Sequence, residues 1–262
     1  MEKGIVLYSA EDLANDLSDY EYLYYGSEFC IRKLLRQDDW EAIVSYCLKY
    51  YKTLCLMTSY IPQKYMDQTK ELIKRLAHSD AIIEISVNDY GLLDYIAAEY
   101  DTRFVLTYGR LLNRIKKAPS MFNFYKKLTK DSQEAFQINA CNNKYIYEVL
   151  REFHIRNIQY DNVMQSLKIE PDNTFQKHLM YPLVQISTAR RCLGSCLGSD
   201  AYYTDNLCDK GCDDKYYMMY NNIIKRKMIL YGNTIFYENE TLPANINEFS
   251  RLVFNRPQRF KS

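Results

Sequence analysis

The sequence predicts a parallel α/β barrel of the TIM type, incomplete or distorted in places, and three observations carry that expectation. First, short β-prone runs alternate with amphipathic helical segments at roughly 25–30 residues per unit through the first half of the chain, the pattern of repeated β/α units. Second, no G-x-G-x-x-G or G-x-x-x-x-G-K-S/T loop follows any strand, which disfavours an open nucleotide-binding sheet. Third, 262 residues without a Pro/Gly/Ser-rich linker or an internal repeat suit one barrel domain over 1–262.

The elements follow in order. Residues 4–9 (GIVLYS) read as a strand and 10–17 as a short helix. Residues 21–26 (EYLYYG) form a second strand, broken by its glycine. Over 38–51, Trp40, Ile43, Val44 and Cys47 have helical spacing behind Asp38 and Asp39, which suit a helix start. Residues 53–59 (TLCLMTS) are apolar enough for a strand buried on both faces. A helix over 63–78 turns Met66, Leu72, Ile73 and Leu76 inward. A fourth strand over 81–87 (AIIEISV) leads to Asn88, a candidate cap for a helix over 89–100. A fifth strand spans 103–107. The C-terminal ends of barrel strands collect ligands, and Cys30, Ser59, Asn88 and Arg110 fall there.

Residues 111–130 are basic and irregular, and Pro119 breaks any helix. A solvated loop is the simpler reading of this run. The pattern resumes at 135–138, continues with a helix over 144–153 and a strand over 157–162, and passes through an amphipathic stretch to a strand over 183–187. Residues 227–238 read as a hairpin turning at Gly232-Asn233. The tail, 242–262, holds one short helix and a basic end.

The formal net charge is +1 with a pI near 7.5, so no strong polyanion-binding field is implied. RNA is disfavoured as a partner, with the basic run over 114–130 as the feature that keeps it open. No apolar run is long enough for a membrane span, and the N-terminus lacks the form of a secretory signal. A cytoplasmic location is therefore expected. In a reducing compartment, clustered cysteines point to metal or redox chemistry rather than disulfides.

Four of the eight cysteines lie in a loop over 188–217, spaced C-x3-C-x11-C-x3-C at Cys192, Cys196, Cys208 and Cys212. Gly194, Gly198 and Gly211 supply turns that let sulfurs from separate segments converge. Four thiolates suit a structural zinc or an iron–sulfur cluster, and spacing alone leaves both open, beside a plain group of reduced thiols. Cys47, Cys55 and Cys141 fall on helix or strand patterns and read as small core residues. The three histidines, His78, His154 and His178, sit near no nucleophile motif, so a peptidase mechanism has no visible nucleophile–base pair. His78 ends a helix, where a cation suits the dipole.

The string ARRC followed by a Gly/Ser-rich stretch and a C-x3-C pair resembles the cysteine signature of the collagenase-like peptidase U32 family, and within it the UbiV-like iron–sulfur branch. YLYYGSEFCIRK resembles the family's Y-x-G-x-x-x-C segment. IIEISVNDYGLLDYI resembles its strand followed by N/S-D-x-G, and TYGRLLNR its glycine-bearing turn. The resemblance covers about 22–114 and 181–212, and the middle of the chain matches nothing in it. It implies a [4Fe–4S] cluster on Cys30, Cys192, Cys208 and Cys212. Cys196 is then a fifth thiol, either spare or a replacement for Cys30. A sibling branch places one ligand well downstream, and this chain has no cysteine beyond Cys212.

The resemblance further implies oxygen-independent hydroxylation, or a related redox reaction, of a small-molecule substrate, with prephenate the proposed oxygen source among relatives. The substrate would enter the mouth of the barrel past Glu28, Asn88, Asp89 and Arg110. Arg190 and Arg191 would hold a carboxylate or phosphate, or balance the charge of a thiolate-bound cluster. A second U32-family protein is the implied partner in a heterodimer. The alternatives are a non-catalytic cluster-bearing subunit of that pair, and a barrel with a structural zinc site.

Overall fold

The computed structural model describes residues 1–100, 102–170, 174–196, 208, 210–213, 215–224 and 226–257, apart from the Phe122 side chain. The order of elements is β1 (Glu2–Val6), β2 (Tyr22–Gly26), α1 (Ile31–Leu35), α2 (Trp40–Lys49), β3 (Thr53–Met57), α3 (Met66–Ala77), β4 (Ile83–Val87), α4 (Tyr90–Tyr100), β5 (Val105–Tyr108), α5 (Lys130–Gln137), α6 (Lys144–Glu152), β6 (Asn157–Asp161), β7 (Gln176–Tyr181), β8 (Leu183–Thr188), α7 (Leu193–Cys196), β9 (Tyr217–Met219), β10 (Met228–Tyr231), β11 (Thr234–Glu238) and β12 (Arg251–Phe254). Eight parallel strands close into a barrel in the order β1-β12-β7-β6-β5-β4-β3-β2. The expected α/β barrel is therefore present, and it is distorted in two ways. Among the described residues, the connections from β2 through β6 carry α-helices, and beyond them there is only the four-residue α7. A four-stranded sheet, β8-β11-β10-β9, is inserted between the seventh and eighth barrel strands.

Several local expectations change. Where the pattern resumes at 135–138, residues 135–137 are the end of α5 and Ile138 follows in extended backbone; the helix is set by Thr129, whose side chain accepts from the Ser132 N–H. Residues 10–17 shorten to a 3₁₀ turn over Ala10–Ala14. The basic run holds 3₁₀ turns at Pro119–Asn123 and Tyr125–Lys127. Asp89, not Asn88, caps α4, since its Oδ1 accepts from the Leu92 N–H at 3.1 Å. The 227–238 hairpin forms as expected, with β10 and β11 antiparallel across Gly232-Asn233. In the tail, β12 follows the 3₁₀ turn at Ile246–Glu248 and supplies the closing strand, parallel to both β1 and β7.

The alternation of each strand separates two cores. Leu23, Leu54, Leu56, Ile83, Ile85, Leu106, Ile158 and Leu179 face outward and pack in a continuous core with Trp40, Ile43, Ile73, Leu92 and Leu150 of the helices. Inside the barrel lies a smaller apolar group, Val6, Tyr24, Cys55, Met57, Met180 and Val253. The rest of the interior is polar and paired. Arg251 donates to Glu84 and to the Tyr24 hydroxyl, both at 2.8 Å, and Thr107 bridges Glu84 to Asn157. Ser86 donates to Gln159 at 2.8 Å. His178 lies 3.4 Å from the Tyr24 hydroxyl and 3.6 Å from Glu84. Burial, with Arg251 nearby, pushes the His178 pKa well below its ordinary value, so the ring stays neutral. Gly4 makes room for this layer, since a Cβ there would come 2.7 Å from the Tyr24 ring.

Gly26 ends β2 with φ +119°, and a Cβ on it would stand 2.5 Å from the Met57 carbonyl oxygen of β3. Backbone conformation and space both demand glycine here. Gly26→Ala is expected to cost about 2 kcal/mol or more, read as a lower denaturant midpoint. An unchanged midpoint would refute this account of the turn that leads to Glu28 and Cys30.

Candidate metal centre

Cys30 lies just after β2, in extended backbone at the start of α1. The short helix turns Lys33 and the residue that follows it, Arg36, back towards the cysteine loop. The Lys33 Nζ donates to the Tyr231 hydroxyl at 2.9 Å and lies 3.8 Å from Asp213. The Arg36 Nη1 reaches Cys208 Sγ at 3.4 Å, and its Nη2 reaches Cys212 Sγ at 3.6 Å and Asp213 at 2.5 Å.

The turn of the β10–β11 hairpin organises these segments. Asn233 Nδ2 donates to the carbonyls of Phe29 and Ala189, both at 2.8 Å, and so ties the chain before Cys30 to the chain before Cys192. Gly194, in the turn between Cys192 and Cys196, donates its N–H to the Gly232 carbonyl at 2.9 Å. Gly232 has φ +59°, and a Cβ there would meet Cys212 Cβ at 3.4 Å. Glycine at the turn thus lets Cys212 approach the hairpin.

These contacts bring the segments that carry Cys30, Cys192, Cys208 and Cys212 to one turn. Cys192 and Cys208 are close enough to Cys30 to act on it electrostatically. Burial raises the Cys30 pKa, the backbone N–H groups of Lys33 and Arg32 offset part of that rise, and the neighbouring thiols add to it. Burial likewise raises Cys212, against the pull of Lys33 and Arg36. Among the described residues no group of three or more His, Cys, Asp or Glu side chains stands close enough to hold a metal ion. The donor set nonetheless fits a thiolate-bound metal centre by its chemistry. Cys30, Cys192, Cys196, Cys208 and Cys212 are all free and partly exposed, and Arg36, at the end of α1, stands beside Cys208 and Cys212, the kind of outer group that orients and tunes sulfur ligands. Cys47, Cys55 and Cys141 are buried elsewhere in the core. Residues 197–207, with Gly198, lie outside the described residues.

The polar candidates divide. Glu28 and Arg110 meet at the barrel mouth, where Arg110 grips Glu28 through Nε and Nη2 at 2.8 Å each. Arg110 also donates to Asp161 at 2.7 Å and to the Leu183 carbonyl at 3.2 Å. Lys117 completes the group on Asp161 and Gln185. Two carboxylates and two cations thus form a neutral buried quartet, and Arg110 spends its donors on this quartet and the Leu183 carbonyl. Asn88 holds the Thr58 carbonyl and the Leu111 N–H, and Asp89 holds the Ile61 and Leu92 N–H groups. Arg190 is exposed and stacks 5.3 Å from the Tyr60 ring, and Arg191 is also exposed. A small cavity of about 50 Å³ lies at the barrel mouth beside Glu28 and Arg110, walled also by Tyr8, Phe29, Lys33 and Tyr231.

Lys33, Arg36, Lys117, Asp213 and Asn233 are site residues that the sequence reading passed over. The signal for the first two was visible, since CIRKLLR places three cations within six residues of Cys30. No protein-family model, no curated protein and no solved structure matches this chain.

Proposed function

We propose that the chain carries a thiolate-bound [4Fe–4S] centre on Cys30, Cys192, Cys208 and Cys212. On this reading it takes part, as a UbiV-like member of the U32 family, in oxygen-independent hydroxylation or a related redox reaction of a small molecule. It works in a reducing cytoplasm beside a second U32-family protein. The observation that carries the reading is the convergence of three cysteine-bearing segments on the Tyr231–Asn233 turn, next to Lys33 and Arg36. Bound there, such a centre supplies one-electron transfer. The chain's own residues do the rest. Asn233 fixes the segments that present Cys30 and Cys192. Glu28 and Arg110, held by Asp161 and Lys117 behind them, line the cavity, and Lys33 on the same cavity is a cation that a substrate can meet. Cys196 ends α7, one turn beyond Cys192, where it is the reserve thiol.

Anaerobic purification with metal and sulfide analysis tests the reading. About four iron and four sulfide per chain, with a broad visible absorption bleached by dithionite, are expected. Cys30→Ser should abolish that absorption, and Cys196→Ser should keep it. A colourless chain with one zinc, or a chain that takes up no metal, would overturn the proposal. Retention of the cluster in Cys30→Ser and its loss in Cys196→Ser would move the fourth ligand to Cys196.

A further inference from the structure

Arg36 is the side chain of the cysteine site with the most specific geometry. Its Nη1 points at Cys208 Sγ, 3.4 Å away, and its Nη2 is shared between Cys212 Sγ at 3.6 Å and Asp213 at 2.5 Å. The guanidinium is partly buried and held from both ends. Its backbone follows directly from α1. The carboxylate that anchors its head belongs to the residue after Cys212, and the same carboxylate lies 3.8 Å from Lys33. The guanidinium presents its N–H groups to two sulfurs and a carboxylate in a fixed planar fork, a geometry that the point-like lysine ammonium does not hold.

We infer that Arg36 is the positioning residue of the Cys208–Cys212 pair. Its two arms hold the sulfurs of the third and fourth loop cysteines in one neighbourhood and balance the negative charge they carry as metal ligands. The inference deepens the proposed metal centre and rests on it. It follows that Arg36 sets how tightly the site takes a thiophilic divalent cation. For an iron–sulfur centre it also sets the reduction potential, because N–H donors to ligand sulfur favour the reduced, more negative form. Outer groups of this kind are typically worth ~10–100-fold in metal affinity.

The test uses the whole chain and Co²⁺ as the probe, titrated without oxygen and followed by sulfur-to-cobalt charge-transfer absorption. Arg36→Gln should weaken Co²⁺ binding ~10–100-fold relative to the unmodified chain. Arg36→Lys keeps the charge without the fork and should fall between the two. Circular dichroism and the thermal midpoint check that each variant is folded, and Asp213→Asn, which frees the guanidinium, should weaken binding in the same direction. In protein reconstituted with iron and sulfide, Arg36→Gln should also have a more negative reduction potential, a readout that mere loss of stability does not move. Unchanged Co²⁺ affinity and unchanged potential in folded Arg36→Gln would overturn the inference and leave the metal centre standing. An unmodified chain that binds Co²⁺ but never assembles iron and sulfide would overturn the cluster, and the affinity series would still decide Arg36. An unmodified chain that binds neither would overturn both.

Discussion

A chain ending at Phe249 is expected to lose its cooperative thermal transition and its near-ultraviolet circular dichroism. The segment removed contains β12, which pairs in parallel with β1 on one side and β7 on the other. Without it the barrel opens into a sheet with two long unpaired edges. The loss extends inside. Arg251 is the partner that Glu84 and the Tyr24 hydroxyl meet at 2.8 Å in the barrel interior. Val253 belongs to the small apolar group there. Asn255 holds both the N–H and the carbonyl of Leu183, where the inserted sheet begins. An orphaned buried carboxylate alone costs about 3–5 kcal/mol, and a domain's whole margin is only about 5–15 kcal/mol. A shortened chain that still melts cooperatively within a few degrees of the full one would show that closure of the barrel is dispensable.

Arg110→Met is expected to destabilise the protein by about 3–5 kcal/mol, because it leaves Glu28 as a buried carboxylate without its two-armed partner. For a chain of this size the melting midpoint should fall by on the order of 10 °C. Asp161 keeps Lys117, so Glu28 bears most of the loss. The double variant Arg110→Met/Glu28→Gln should therefore lose clearly less than the two single losses added together. Additive losses would mean that the pair is not coupled as its geometry implies.

The same quartet gives a pH dependence. Burial alone would raise the Asp161 carboxyl, but Lys117 and Arg110 outweigh it and hold the pKa below the ordinary carboxylate value. A carboxyl depressed in the fold contributes stability that is fully present above the unfolded value, about pH 4, and is lost as pH falls through the folded value. Acid melting of the unmodified protein should steepen in that window, and Asp161→Asn should remove part of the slope.

Much of the scaffold was legible in the sequence because it is written locally. The outward faces of β2 to β5 pack on helices whose apolar residues recur at helical spacing, so strand and helix periods could be read directly. Gly232-Asn233 announced a hairpin by its turn chemistry, and the spacing of Cys192, Cys196, Cys208 and Cys212 marked a candidate site. The strands that were missed lack such a signal. β7 and β12 carry His178 and Arg251 on the face that enters the barrel, so each reads as an amphipathic or basic stretch. Inside the barrel both side chains meet Glu84 and Tyr24.

By itself, then, the sequence determined the alternation of elements, the hairpin turn and the grouping of thiols, all properties of residues near one another along the chain. Only the tertiary structure decided which strand closes the barrel, that Arg110 is consumed by Glu28 and Asp161, 82 and 51 residues away, and that Asn233 joins the Cys30 segment from 204 residues beyond. A buried charge or amide must find its partner wherever the fold delivers one, and local periodicity holds no record of that place.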